Sequence, residues 1–133
     1  MAVFDTFALV KFVRKEIGYE KVAAALEEGG IISEGTLYEF LHVCTKDFLE
    51  QNYELHESLR KATEIVESLL LHLEKQNITL EIAKEAVYFK RHYHKLNLSN
   101  FDCLALATAK VLNEPLLSGE KGLMQVKEVK VIG

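Results

Sequence analysis

The chain has no tryptophan, one proline and two cysteines in 133 residues. Cys44 and Cys103 lie far apart among apolar neighbours and form no CxxC pair, which excludes a disulfide scaffold and a cysteine-based zinc site. They read as buried free thiols in a reducing compartment. No apolar run reaches the ~20 residues of a membrane span, so no membrane partner is expected. Asp5 and Lys11 interrupt the N-terminal residues, which therefore do not read as a signal peptide. Together these absences point to a cytoplasmic protein. Positive charge is not in excess either: 16 Lys and Arg against 20 Asp and Glu leave a formal net charge of -4. That balance argues against coating nucleic acid by bulk charge, while leaving room for a local basic groove.

What is present is an ordinary globular composition, 49% hydrophobic and 27% charged, of a length that suits one domain with one core. Ala2-Val3-Phe4, Ile31-Ile32-Ser33 and Leu116-Leu117-Ser118 are short apolar runs of the kind found in strands buried on both faces. Val129, Val131 and Ile132 alternate with polar residues and predict an edge strand. Ile78-Thr79-Leu80 is a strand or an extended lead-in to a helix. Helical patterns fill the intervals. One starts near Leu9, with Gly18 as its stop. Another covers Tyr19 to Glu28, ahead of Gly29-Gly30. A third runs from Glu34 to Leu49, capped by Ser33. A long one is predicted from Tyr53 to Lys75 on the seam Leu55, Leu59, Ala62, Val66, Leu69 and Leu73. The last two cover Glu81 to His94 and Asn100 to Leu112. Short strands alternating with helices define an α/β fold with a mostly parallel sheet.

The helix from Asn100 is apolar around most of its circumference and should be buried, yet Asp102 sits in its first turn. Burying an ionised carboxylate costs several kcal/mol unless something compensates. Two answers stand side by side. Ser99 and Asp102 have the spacing of a capping box, with Asp in place of the usual Glu or Gln. Alternatively, a cation shared with other carboxylates supplies the compensation.

Three further acids can join Asp102. Asp5 closes the first strand, Glu39 lies on the border of a buried helix face after the second, and Glu120 follows the strand at Leu116. In parallel sheets ligands bind outside the carboxyl ends of the strands. Carboxylates gathered there repel one another unless a cation lies among them. Mg²⁺ and Mn²⁺ prefer such oxygen donors.

The stretches FDTFALV at 4–10, LYEFL at 37–41, LSNFDCLALATAK at 98–110 and PLLSGEK at 115–121 resemble the PIN domain, and within it the small VapC-type ribonucleases. The resemblance runs through nearly the whole chain; Gln51 to Gln76 matches only as generic helix. It implies a PIN-like three-layer sandwich with a central sheet of about five strands, as a single domain over 1–133 with a helical insertion at about 53–76. The family's acids fall on Asp5, Glu39, Asp102 and Glu120, as catalytic and metal-binding residues for Mg²⁺ or Mn²⁺. Thr6 and Ser118 fall on positions that orient those ligands. The family's T-G-D loop reads Ser118-Gly119-Glu120 here, with Ser for Thr and Glu for Asp.

The implied function is a metal-dependent endoribonuclease that hydrolyses RNA phosphodiester bonds. It would be the toxin of a VapBC-type toxin–antitoxin pair, with RNA as substrate, a small antitoxin protein as partner and a homodimer as the expected assembly. Lys11, Arg14, Lys15, Arg91 and Lys121 are the candidate RNA contacts. The alternative is a catalytically weak PIN-fold RNA-binding or interaction module, with Glu120 as the point of departure.

Overall fold

Three pairs of adjacent apolar residues build the middle of the molecule: Val3-Phe4, Ile31-Ile32 and Leu116-Leu117. Side chains alternate across a strand. Val3, Ile31 and Leu116 therefore enter one core, and Phe4, Ile32 and Leu117 enter the other. All six are 7% exposed or less. Each stabilises the fold by roughly 1.5–3 kcal/mol relative to an exposed position.

The computed structural model describes residues 1–133. The order of elements is β1 (Ala2–Phe4), α1 (Thr6–Val13), α2 (Tyr19–Glu28), β2 (Gly30–Ser33), α3 (Glu34–Glu50), α4 (Leu55–Leu69), β3 (Leu73–Gln76), α5 (Leu80–His92), α6 (Asn100–Leu112), β4 (Leu116–Leu117) and β5 (Val131–Ile132). The sheet has the order β3-β2-β1-β4-β5, and every pair is parallel. Helices α5 and α6 cover one face and α1 to α4 the other. The expected three-layer α/β sandwich is thus observed, with an all-parallel sheet. The sheet order runs from β1 to β2 on one side and from β1 to β4 on the other. The carboxyl ends of β1 and β4 therefore flank a topological switch point, the usual place for a ligand crevice.

Gly30 is fixed by this packing. A Cβ there would lie 2.3 Å from Phe4 Cε1 and 2.9 Å from the Ala2 carbonyl oxygen. Phe4 is fully buried and has little room to yield. Gly30→Ala should destabilise the protein by about 1–3 kcal/mol, the ordinary cost of overpacking. Urea unfolding measures this, and an unchanged midpoint would mean that both the Phe4 ring and the Ala2 carbonyl give way freely.

The structure corrects the sequence reading in the middle of the chain. The predicted helix over Tyr53 to Lys75 stops at Leu69, and Leu73–Gln76 is instead the edge strand β3. Its residues pair with Gly30 to Ser33. Of the two readings of Ile78-Thr79-Leu80, the extended lead-in to a helix holds and the strand does not: the Thr79 hydroxyl accepts from the Ile82 N–H at 3.2 Å and caps α5. Helix α1 ends at Val13, before Gly18, which instead sits in the left-handed region ahead of α2. Val129 is buried against the core but precedes β5.

Candidate functional site

Asp5 is the first residue past β1 and the N-cap of α1. Its Oδ1 accepts from the Ala8 N–H at 2.8 Å. Its Oδ2 accepts from the hydroxyl of Ser118, the first residue past β4. The Ser118 oxygen in turn accepts from the Glu120 N–H at 2.9 Å. One hydroxyl therefore ties the ends of two neighbouring strands and sets the course of the loop that carries Glu120. Thr6 performs a matching task on the other side, donating to Glu39 Oε1. Glu39 is half-buried on α3, in keeping with its place at the border of that helix's apolar face.

Asp102 opens α6 in a complete capping box. The Ser99 hydroxyl accepts from the Asp102 N–H, and Asp102 Oδ2 accepts from the Ser99 N–H, both at 3.0 Å. The cap is therefore real, and it occupies only one of the two carboxylate oxygens. Asp5 and Asp102 are 2% and 7% exposed, so both carboxylates are shielded from bulk water.

The acids act on one another. Burial drives the Asp5 carboxyl up to about 6; the bonds from Ser118 and Ala8 oppose this, and the charges of Asp102 and Glu120 add to it. Burial also raises Glu39, against the bond from Thr6, and the Asp102 charge raises it further. Glu120 is raised by burial, by the charges of Asp102 and Glu39, and by the hydrogen bond that its protonated form can give to Asp102. As a carboxylate, it leaves its buried Oε2 without any hydrogen-bond partner. An orphaned anionic oxygen among other carboxylates is what a bound cation would relieve. The donors are all hard oxygens, which suits Mg²⁺ or Mn²⁺. The four are neighbours rather than a finished cage: no three His, Cys, Asp or Glu side chains stand at the spacing that holds an ion. Asp5, Glu39 and Asp102 each have an oxygen directed to a protein donor.

The basic residues are dispersed. Arg14 is held by Asp47 through two bonds of 2.9 and 2.7 Å. Lys11 lies beside Gly18, and Lys15 is exposed at a left-handed turn. Lys121 follows Glu120 on the surface. Arg91 lines a groove of about 700 Å³ between α5 and the start of α6, and the neighbouring Lys90 donates to the Leu98 carbonyl at 2.6 Å. Both thiols are buried and inert: burial pushes Cys44 to about 12 and Cys103 to about 11.

Two features escaped the sequence reading. Gly35, in the first turn of α3, lets α6 come close: a Cβ there would lie 2.9 Å from Leu104 Cδ1 and 3.5 Å from Phe101 Cδ1. The second is the set of aromatic residues beside the site, Phe7, Tyr38 and Phe101. Each directly adjoins a site residue in the sequence, which is the signal that could have found them.

A parallel α/β sandwich with acids at its switch point is a class with several members. The chain belongs to the PIN domain family, whose model matches residues 2–129. It is similar to a toxin–antitoxin complex from Klebsiella pneumoniae, with 23% identity over 100% of this chain and 97% of that one and a TM-score of 0.68. It is also similar to FitAcB from Neisseria gonorrhoeae, with 20% identity, 100% and 97% coverage and a TM-score of 0.69. DNA-bound VapBC from Salmonella typhimurium gives 13% identity, 99% and 98% coverage and a TM-score of 0.74. At these identities the likeness establishes the fold. No curated relative matches the chain. No helix is long and apolar enough to cross a membrane.

Proposed function

We propose that this protein is a Mg²⁺- or Mn²⁺-dependent endoribonuclease and the toxin of a VapBC-type pair, restrained by a small antitoxin protein. The observation that carries the reading is the gathering of Asp5, Glu39, Asp102 and Glu120 at the switch point, with one buried oxygen left unpartnered. Asp5, Glu39 and Asp102 would hold the ion directly, and Glu120 would hold a second ion or act through water. When bound, the ion supplies an activated water and a counter-charge to the phosphate. Thr6 and Ser118 hold the Glu39 and Asp5 carboxylates in place through the bonds described above. A homodimer belongs to the same reading. Leu55 and Leu59, on the half of the α4 seam that does not reach the core, are 57% and 43% exposed and open to a second copy.

Purified protein incubated with mixed-sequence RNA should cleave it in Mn²⁺ or Mg²⁺ and stop in EDTA. Cleavage that continues in EDTA would overturn the reading. The second reading, a weak or inactive RNA-binding module, draws on Glu120, one methylene longer than the family's Asp, and on the open spacing of the acids. Under it, Glu120→Asp raises cleavage tenfold or more from a near-zero start. Under the first, wild-type cleavage is already robust and the variant stays within a few-fold of it.

A further inference from the structure

Three aromatic residues adjoin the site residues along the chain. Phe7 follows Thr6, Tyr38 precedes Glu39, and Phe101 precedes Asp102. Tyr38 is 61% exposed and Phe7 49% exposed, while Phe101 is half-buried behind Tyr38. The Tyr38 and Phe101 centroids are 5.9 Å apart, with ring planes at 33°. The His42 ring lies 6.1 Å from Tyr38 with its plane tilted by 59°. This pairing is built by the backbone. Gly35 admits the start of α6 to the start of α3, and so brings Phe101 to Tyr38 as it brings Asp102 toward Glu39. Phe7 backs the loop on the opposite flank: a Cβ on Gly119 would meet Phe7 Cβ at 3.3 Å. Phe7 also lines a cleft of about 470 Å³ shared with Thr6, Glu39 and Lys46.

Tyr38, exposed and backed by Phe101, presents a flat apolar face of the kind on which a base stacks. Charge gives a polyanion little here: the cleft that holds Lys46 also holds Glu16, Glu39, Asp47 and Glu50, and Arg14 is bound to Asp47. Affinity must come from elsewhere, and the π faces of the rim can supply it. The geometry points to Tyr38, backed by Phe101, as a stacking platform for one unpaired base beside the scissile phosphate, with Phe7 bordering the strand on the far side. This deepens the nuclease reading and rests on it for the position of the phosphate. It assigns the binding of a base to residues that hold no metal. Stacking is indifferent to base identity, so the platform accepts any base that is not paired and rejects a duplex.

The test couples a protein variant to a substrate variant. Binding of a labelled RNA octamer is read by fluorescence anisotropy in EDTA, and cleavage is read separately in Mn²⁺. Tyr38→Leu should weaken binding about 5- to 150-fold, the usual range for one stacked base. Tyr38→Phe, which keeps the ring, should stay within twofold. In cleavage, Tyr38→Leu should raise KM and leave kcat nearly unchanged. An octamer with one abasic position at the platform should bind wild type as weakly as it binds Tyr38→Leu, because the same contact is already gone. A Tyr38→Leu penalty that persists on every abasic octamer would overturn the proposal, since Tyr38 would then touch backbone. Unchanged RNA binding in Tyr38→Leu would overturn it as well, and altered sedimentation of that variant would mark the rim as a protein contact. If no RNA is cleaved by wild type but the abasic coupling holds, the nuclease reading fails and the platform stands.

Discussion

Without metal, the protein should lose stability as pH rises from about 4 to about 7. The sign follows from Asp5, whose carboxyl is raised from 3.8 to about 6 in the folded state. Below the ordinary value both folded and unfolded chains carry the proton, and the stability associated with Asp5 is fully present. Between the two values the unfolded chain releases its proton while the folded chain retains it, so folding becomes progressively less favourable. Above about 6 both are ionised, and the whole cost remains, chiefly that of burying the charge and secondarily the repulsion from Asp102 and Glu120. For a shift of this size the loss is on the order of 3 kcal/mol. Glu39 and Glu120 are raised too and act in the same direction. A divalent ion that binds the ionised acids should reverse the loss, so Mn²⁺ should raise the melting temperature more at pH 7.5 than at pH 5. Asp5→Asn separates this cause from all other titrations. Asn still caps α1 through its side-chain oxygen, but it carries no charge. The variant should be more stable than wild type at pH 7.5 in EDTA, should show a flatter pH profile, and should respond weakly to Mn²⁺. Thermal melts of both proteins from pH 4 to 8, with EDTA and with Mn²⁺, make the comparison. Parallel profiles for the two proteins would rule out Asp5 as a strained acid.

The site was more legible than the path of the chain that surrounds it. Asp5, Asp102 and Ser118 stand at junctions between elements, where sequence signals are strongest: an apolar run that ends, a cap that begins. Their meeting follows once the strands are parallel, because that places all their carboxyl ends on one edge. β3 was illegible for a physical reason. Leu69 and Leu73 are one helical step apart, no glycine or proline intervenes, and Leu73 would be buried in either conformation. Only pairing with β2 makes Leu73–Gln76 extended, and such pairing depends on residues far away in the sequence. The exposed Glu74 and Lys75 suit an edge strand just as they suit a helix surface. The aromatic rim was hidden by the same ambiguity. A Tyr or Phe on a helix ordinarily reads as core, and Phe40, on the same helix as Tyr38, is indeed core.

Asp102→Asn should abolish cleavage while leaving the fold intact, and Ser99→Ala should do the reverse. The capping box gives Asp102 two tasks on separate atoms: Oδ2 receives the Ser99 N–H, and the charge serves the acid cluster. Asn keeps an oxygen for the cap and loses the charge. On the proposed reading Asp102 is a direct ligand of the ion, and its removal should lower kcat/KM by at least about 10³, equivalent to roughly 4 kcal/mol of transition-state stabilisation. The melting temperature in EDTA should hold or rise, because a repelling charge has gone. Ser99→Ala removes the oxygen that accepts the Asp102 N–H and should cost about 1 kcal/mol of stability. The Ser99 backbone N–H still orients the Asp102 carboxylate, so cleavage well below the melting temperature should stay within a few-fold of wild type. If Asp102 were only a cap, both variants would leave cleavage nearly unchanged and differ only in stability. Opposite effects of the pair on activity and melting would show that the helix terminus and the acid site are independent functions of one side chain.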